Sequence, residues 1–186
     1  MGSRRGHTGR NENLGKADLL IMAHEHVRAR LTSDPFLATR NQTLPAAAKK
    51  AWPVVTFEDG LTLHLNGQTI EIRQVPPAHT DGNSIVRFVE ADVIHMGGTY
   101  FAGIYPYIDT TSGGEVDGMI AAADRGLEWS GPNPRIIPGH GPLSQPADLR
   151  KLREMLISFC ARVRKMKERG LERRDVIRAR LSKSFD

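Results

Sequence analysis

Three loops of this sequence each present one imidazole in a setting suited to holding an ion. Pro76-Pro77-Ala78-His79-Thr80-Asp81-Gly82-Asn83 carries His79 where one β-patterned stretch ends and the next begins. Two prolines stiffen the approach and Asp81-Gly82 favours a tight turn, so the ring is carried on a backbone with little freedom. Arg135-Ile136-Ile137-Pro138-Gly139-His140-Gly141-Pro142 is a short apolar strand ending in His140. The glycines on either side let the backbone crowd close to something, as a metal centre requires. His7-Thr8-Gly9-Arg10-Asn11 supplies a third ring. Zinc prefers nitrogen and sulfur donors, and three imidazoles with one open position for water form a catalytic set. Any one of these loops alone reads equally well as a surface turn. Asp81 is a candidate to orient His79 through the nitrogen that an ion would leave free. The other histidines take blander readings: His24 and His26 on the surface, His64 on a polar strand face, and His95 as a satisfied residue inside a buried strand.

The elements that must position these rings follow from periodicity. Residues 18 to 23 read as a strand and 24 to 31 as a short helix, followed by a polar loop to residue 50 that contains Pro35 and Pro45. Strands then alternate with turns at Asp59-Gly60 and Asn66-Gly67, which describes an antiparallel sheet with one polar face. Tyr100, Phe101, Tyr105 and Tyr107 are available to line a pocket, or to pack a surface loop. Ser112 is read as the cap of a helix over 115 to 129, stopped by Gly131-Pro132. A longer helix runs from Pro146 to Arg169, where Ser144, the early proline and Gly170 mark its ends. Its stripe of Leu149, Leu152, Leu156, Phe159, Val163 and Met166 is expected to pack on the sheet. A short helix over 172 to 181 closes the chain.

Composition excludes several classes. The chain has 186 residues, enough for one domain with a real core, and a net charge of +5. Lys and Arg number nine against four acids in residues 1 to 50, four against twelve in 51 to 149, and thirteen against five in 150 to 186. The basic tail is interleaved with Glu154, Glu168, Glu172 and Asp175 and has no aromatic platform, so a solvated helix face explains it and no nucleic-acid partner is expected. A lone cysteine, Cys160, rules out an internal disulfide and sits in a helix seam as a core residue. No run of about 18 apolar residues exists, so no membrane span is expected. No signal peptide is apparent either, which leaves the compartment open.

The order His7-Thr8-Gly9-x-Asn11, Ala78-His79-Thr80-Asp81-Gly82, His95-Met96-Gly97 and Pro138-Gly139-His140-Gly141-Pro142 resembles the metallo-β-lactamase-fold hydrolases. The stretches from Ile21 to Arg28 and from Tyr105 to Asp109 extend the resemblance through nearly the whole chain. It implies an α/β (α+β) αββα sandwich, a single domain over residues 1 to 186 whose leading strands are missing, and a zinc site acting on a small-molecule ester, lactone, thioester or lactam. It also implies which metal positions are occupied. His79 belongs to the first, and His7 and His140 to the second. The remaining ligand positions fall on Gly2, Arg4, Gly6 and Gly98, none of which supplies a donor of the required kind. The expectation is therefore at most one zinc, with weak hydrolysis or none; the alternative is a non-catalytic remnant that binds a metal or a partner. Relatives are often exported. With the leading strands missing, the strand near Leu19 to Met22 is expected to have an open edge and to promote self-association.

Overall fold

Asn66 and Gly67 both take positive φ, 52° and 73°, and so close a two-residue hairpin whose turn matches the twist of its strands. That hairpin, β5 (Gly60–Leu65) and β6 (Gln68–Gln74), starts a five-stranded sheet completed by β7 (Ser84–Phe88), β8 (Val93–Phe101) and β9 (Arg135–His140). The order is β5-β6-β7-β8-β9, antiparallel as far as β8, with β9 parallel to β8. The computed structural model describes residues 8–33, 36–37, 42–43 and 45–185.

Alternation divides the sheet into two unlike faces. Ile85, Ile94 and Ile136 turn inward and are fully buried, with Met96, Val75 and Tyr100, beneath the helices α3 (Val116–Glu128) and α4 (Pro146–Glu168). On α3, Met119, Ala122 and Ala123 are buried, and Gly118 and Gly126 let the helix come close to its neighbours. The α4 stripe is buried only at Leu149, Leu152 and Leu156. Phe159, Val163 and Met166 are half-buried, so the second half of α4 runs past the core instead of packing on it as the periodicity suggested. Arg153 on α4 pairs with Asp124 on α3 and ties the two helices together. The opposite sheet face carries Leu61, Leu63, Ile70, Ile72, Val86 and Phe88, all half-buried.

The front of the chain forms a smaller unit. α1 (Asn11–Lys16) is followed by β1 (Met22–His24), α2 (Glu25–Thr32), the paired β2 (Phe36–Leu37) and β3 (Gln42–Thr43), and β4 (Val55–Phe57). β1 pairs in parallel with β4 over three residues. The strand expected from residue 18 is therefore confined to Met22–His24. Leu19, Leu20, Val54 and Val55 remain exposed beside it, at 56%, 61%, 69% and 37%. Trp52 lies in this region, its Nε1 donating to the Ala47 carbonyl at 2.8 Å with Arg28 over the ring. The second tryptophan, Trp129, packs against the main core at the end of α3.

Helix ends differ from the expected caps for local reasons. Ser112 is spent on Asp109 instead of α3, whose N-cap is Glu115. Gln145, not Ser144, caps α4 through a reciprocal bond with Asp148. The last helix, α5 (Arg173–Arg178), is capped in the same way by Glu172 and Asp175. Among the described residues no helix is long and apolar enough to cross a membrane.

Candidate functional site

His79 sits on the β6–β7 loop with 6% of its surface exposed. Its Nδ1 lies 2.7 Å from the Tyr107 carbonyl oxygen, and because a carbonyl only accepts, Nδ1 carries the proton. The lone pair of the neutral ring is then on Nε2. The loop is stitched to residues 109–115 along its backbone. Asp109 N donates to the His79 carbonyl at 2.9 Å, Glu115 N to the Ala78 carbonyl at 2.8 Å, and Asp81 N to the Ser112 carbonyl at 3.0 Å.

Asp109 organises this backing and was not anticipated. It is 2% exposed, and its carboxylate accepts from the Thr111 hydroxyl at 2.6 Å, the Ser112 hydroxyl at 2.9 Å and the Thr111 amide at 3.2 Å. Burial alone would push this carboxyl up, but the bonds from Thr111 and Ser112 outweigh it and hold the group below its usual range. Asp-Thr-Thr-Ser is the sequence signal that points to it, an aspartate followed by residues able to close a turn over its side chain.

Asp81 does not orient His79. The nitrogen it was expected to hold is taken by the Tyr107 carbonyl, and the Asp81 carboxylate pairs with Arg30 on α2 and lies 3.6 Å from His26 Nδ1. Arg30 also donates to the Ser112 carbonyl at 3.1 Å. Asp81 thus ties the His79 loop to α2. Nearby, His24 is buried, at 5% exposure, and not on the surface as expected. It caps α2, with Nδ1 accepting from the His26 amide at 3.1 Å. Burial, and then the neighbouring His26, lower its pKa.

His140 ends β9 and is exposed. Its ring stacks on Phe101, centroids 4.7 Å apart, and Phe101 in turn meets His79 edge-on at 6.2 Å. One aromatic ring therefore stands in contact with both imidazoles. The glycines beside His140 serve strand contact: a side chain at Gly139 would strike the Gly97 carbonyl, and one at Gly141, where φ is +98°, the Ala102 carbonyl. Tyr100 is a core residue with 1% exposure, while Tyr105 and Tyr107 are exposed; the Tyr107 ring also meets His79 edge-on, at 5.8 Å, and Phe101 is the one of the four expected aromatics in ring contact with both imidazoles.

His7 lies outside the described residues, as do Gly2, Arg4 and Gly6. Thr8, next to His7, lines a cavity shared with His79, Gly97 and Gly98. Gly98 belongs to a bulge on β8, where Gly97 takes φ +54° and the pairing with β9 slips on both sides. Among the described residues no three His, Cys, Asp or Glu side chains come together to hold a metal. His95 is half-buried, and its Nδ1 accepts from the Gly97 amide at 3.2 Å. His64 is exposed. Cys160 is half-buried, its thiol pushed up by burial.

No family model and no curated protein matches the sequence. Solved structures do match. A metallo-β-lactamase from Pontibacter korlensis superposes with a TM-score of 0.60 at 19% identity, covering 78% of this chain and 61% of that one. The DIM-1 metallo-β-lactamase gives 0.57 at 19%, covering 80% and 63%. TTHA1623, solved in a di-iron-bound form, gives 0.59 at 22%, covering 78% and 70%. The chain thus spans about three fifths of the length of the two β-lactamases. The mixed sheet under two helices, the His79 loop and the strand ending in His140 belong to a chain with the metallo-β-lactamase fold.

Proposed function

We propose that this chain binds one divalent ion of the zinc class and hydrolyses, slowly, an ester, lactone, thioester or lactam of a small molecule. The observation that supports this reading is the bond from His79 Nδ1 to the Tyr107 carbonyl. Imidazoles that bind metals characteristically donate their other N–H to a carbonyl or carboxylate, which fixes both tautomer and orientation. His140, on the far side of Phe101, and His7 are the further donors, and Phe101 must move aside for both rings to come within the roughly 2.0–2.1 Å that a zinc–imidazole bond requires. This set suits one ion and not two, because the position that the resemblance gives to a bridging carboxylate is Gly98. A bound ion would polarise the scissile carbonyl and lower the pKa of a water to about 7. The protein's own share is to hold His79 still through Tyr107 and the Asp109 turn.

The missing carboxylate at Gly98 favours a second reading, a domain that binds a metal or a partner without turnover. Metal content after purification without chelator, measured beside hydrolysis of a chromogenic lactam and a thioester, separates the two. About one equivalent of zinc with turnover, both lost in His79→Ala, is the expected result. Metal without turnover selects the second reading. Less than about one tenth of an equivalent ends the hydrolase reading for this chain.

A further inference from the structure

Past its last core contact the chain becomes strongly basic. Leu156 is the last buried residue of α4, and residues 162 to 183 hold ten Lys and Arg against three acids. Gly170, at φ +75°, turns the chain out of α4, and Leu171 N donates back to the Met166 carbonyl at 3.1 Å. After α5 the chain returns: Arg162 Nη1 donates to the Leu181 carbonyl at 3.3 Å, and the guanidinium lies over the Phe185 ring. The tail is therefore a closed helical hairpin on the end of α4, and its cations stand on one unit.

Few of those cations are matched. Arg164 pairs with Asp117 and Arg174 with Glu172, both on the open surface, where such pairs contribute little. Lys165, Lys167, Arg169, Arg173, Arg178 and Lys183 are exposed and form no ion pair among the described residues. Leu171 and Ile177 stand among them, 41% and 64% exposed. Ile177 shares its helix face with Arg173 and Arg174, four and three positions back.

Cations and bare aliphatic side chains together narrow the partner. A nucleic acid would take the cations and leave both aliphatics wet, and the hairpin offers no ring for a base to stack on except Phe185, which already lies beneath Arg162. A bilayer of anionic lipid takes both, with cations at the level of the phosphates and aliphatics at the boundary with the acyl chains. The rest of the molecule gives such a contact a direction. Residues 51 to 149 hold four Lys and Arg against twelve acids, so the same anionic surface repels them.

We propose that the hairpin of residues 162 to 183 is a docking surface for anionic membrane lipid, with Lys165, Lys167, Arg169 and Arg173 at the headgroups and Leu171 and Ile177 beneath them. It uses no residue of the His79 site and holds whether or not that site binds a metal.

The test is flotation of the full chain with vesicles of phosphatidylcholine containing about 30% phosphatidylserine, beside vesicles of phosphatidylcholine alone, with and without EDTA. Binding to the anionic vesicles is expected to be at least about tenfold stronger, to fall as salt rises and to ignore EDTA. Lys165→Gln with Lys167→Gln and Arg169→Gln removes three exposed charges and is expected to weaken it at least about tenfold. Leu171→Ser with Ile177→Ser is expected to weaken it about tenfold through lost apolar burial. Leu20→Ser with Val54→Ser, on the front unit, is expected to bind as the unaltered chain does. Equal binding to the two kinds of vesicle, unchanged binding in both tail variants, or loss of binding with EDTA or in the front variant would each overturn the proposal. A short duplex DNA bound more tightly than the anionic vesicles in the same salt would assign the surface to nucleic acid and overturn it as well.

Discussion

Asp109 does more for the site than its absence from any metal position suggests. Its buried carboxylate closes the turn whose backbone holds the His79 carbonyl. Asp109→Asn keeps the shape but loses the charge that Thr111 and Ser112 satisfy, and a destabilisation of about 2 kcal/mol is expected by chemical denaturation, since bonds to a charged acceptor are worth roughly 1.5 to 3 kcal/mol. The pH dependence has a definite sign. The folded carboxyl is harder to protonate than the unfolded one, so its contribution is complete above the ordinary value of 3.8 and is lost as pH falls below it. His24 and His95 act in the same direction at higher pH. Both are held below the ordinary histidine value of 6.5, in each case first by burial, so unfolded chains take up protons that folded chains resist and stability declines as pH drops below about 6.5. In His95→Phe part of that decline is expected to disappear, which urea midpoints at pH 7.5 and pH 5.5 will show. At this scale the sequence was informative where chemistry is local. His79 and His140 stand out by their flanking prolines and glycines, whereas Asp81 was assigned to the wrong neighbour because Arg30 approaches from 51 positions away in the chain, a pairing that no local pattern carries.

Among the elements, α3 is placed by an omission. A side chain at Gly118 would meet the Pro77 carbonyl oxygen at 1.7 Å, so the helix lies directly on the approach to His79. Gly118→Ala gains about 1 kcal/mol of helix propensity, yet it must push α3 away from a backbone that cannot yield. A net loss of about 1 to 3 kcal/mol is expected from the overpacking, together with weaker metal retention. Gly170→Ala, beyond α4 at φ +75° with nothing nearby, tests the opposite case, in which only the left-handed backbone resists. A loss of about 1 kcal/mol is expected there. The hairpins and the two long helices were legible because alternation, turn residues and capping signals act over a few positions. The bounds of β1 were less so, since the extent of a three-residue pairing is decided by the partner and not by propensity.

For the whole molecule, the feature that matters most is the apolar surface around β1 and β4. Leu19, Leu20 and Val54 are each more than half exposed on one small unit, and such patches associate. Sedimentation velocity is expected to show mass increasing with concentration, and Leu20→Lys with Val54→Lys to reduce it. A monomer at all concentrations would remove self-association from the account. Fold class was readable from the order of elements and from the histidine loops. The extent of this exposed surface was only partly so, because burial depends on what lies opposite.

The two tryptophans happen to divide the molecule along this line. Trp52 sits with the small front unit beneath Arg28, and Trp129 sits against the main core. Emission from Trp129→Phe and Trp52→Phe proteins therefore reports separately on the two ends of the chain as denaturant rises. Coincident midpoints would mean that the Arg30–Asp81 link makes the parts melt as one. An earlier midpoint for Trp52 would mean that the front peels away while the sheet and its helices still stand.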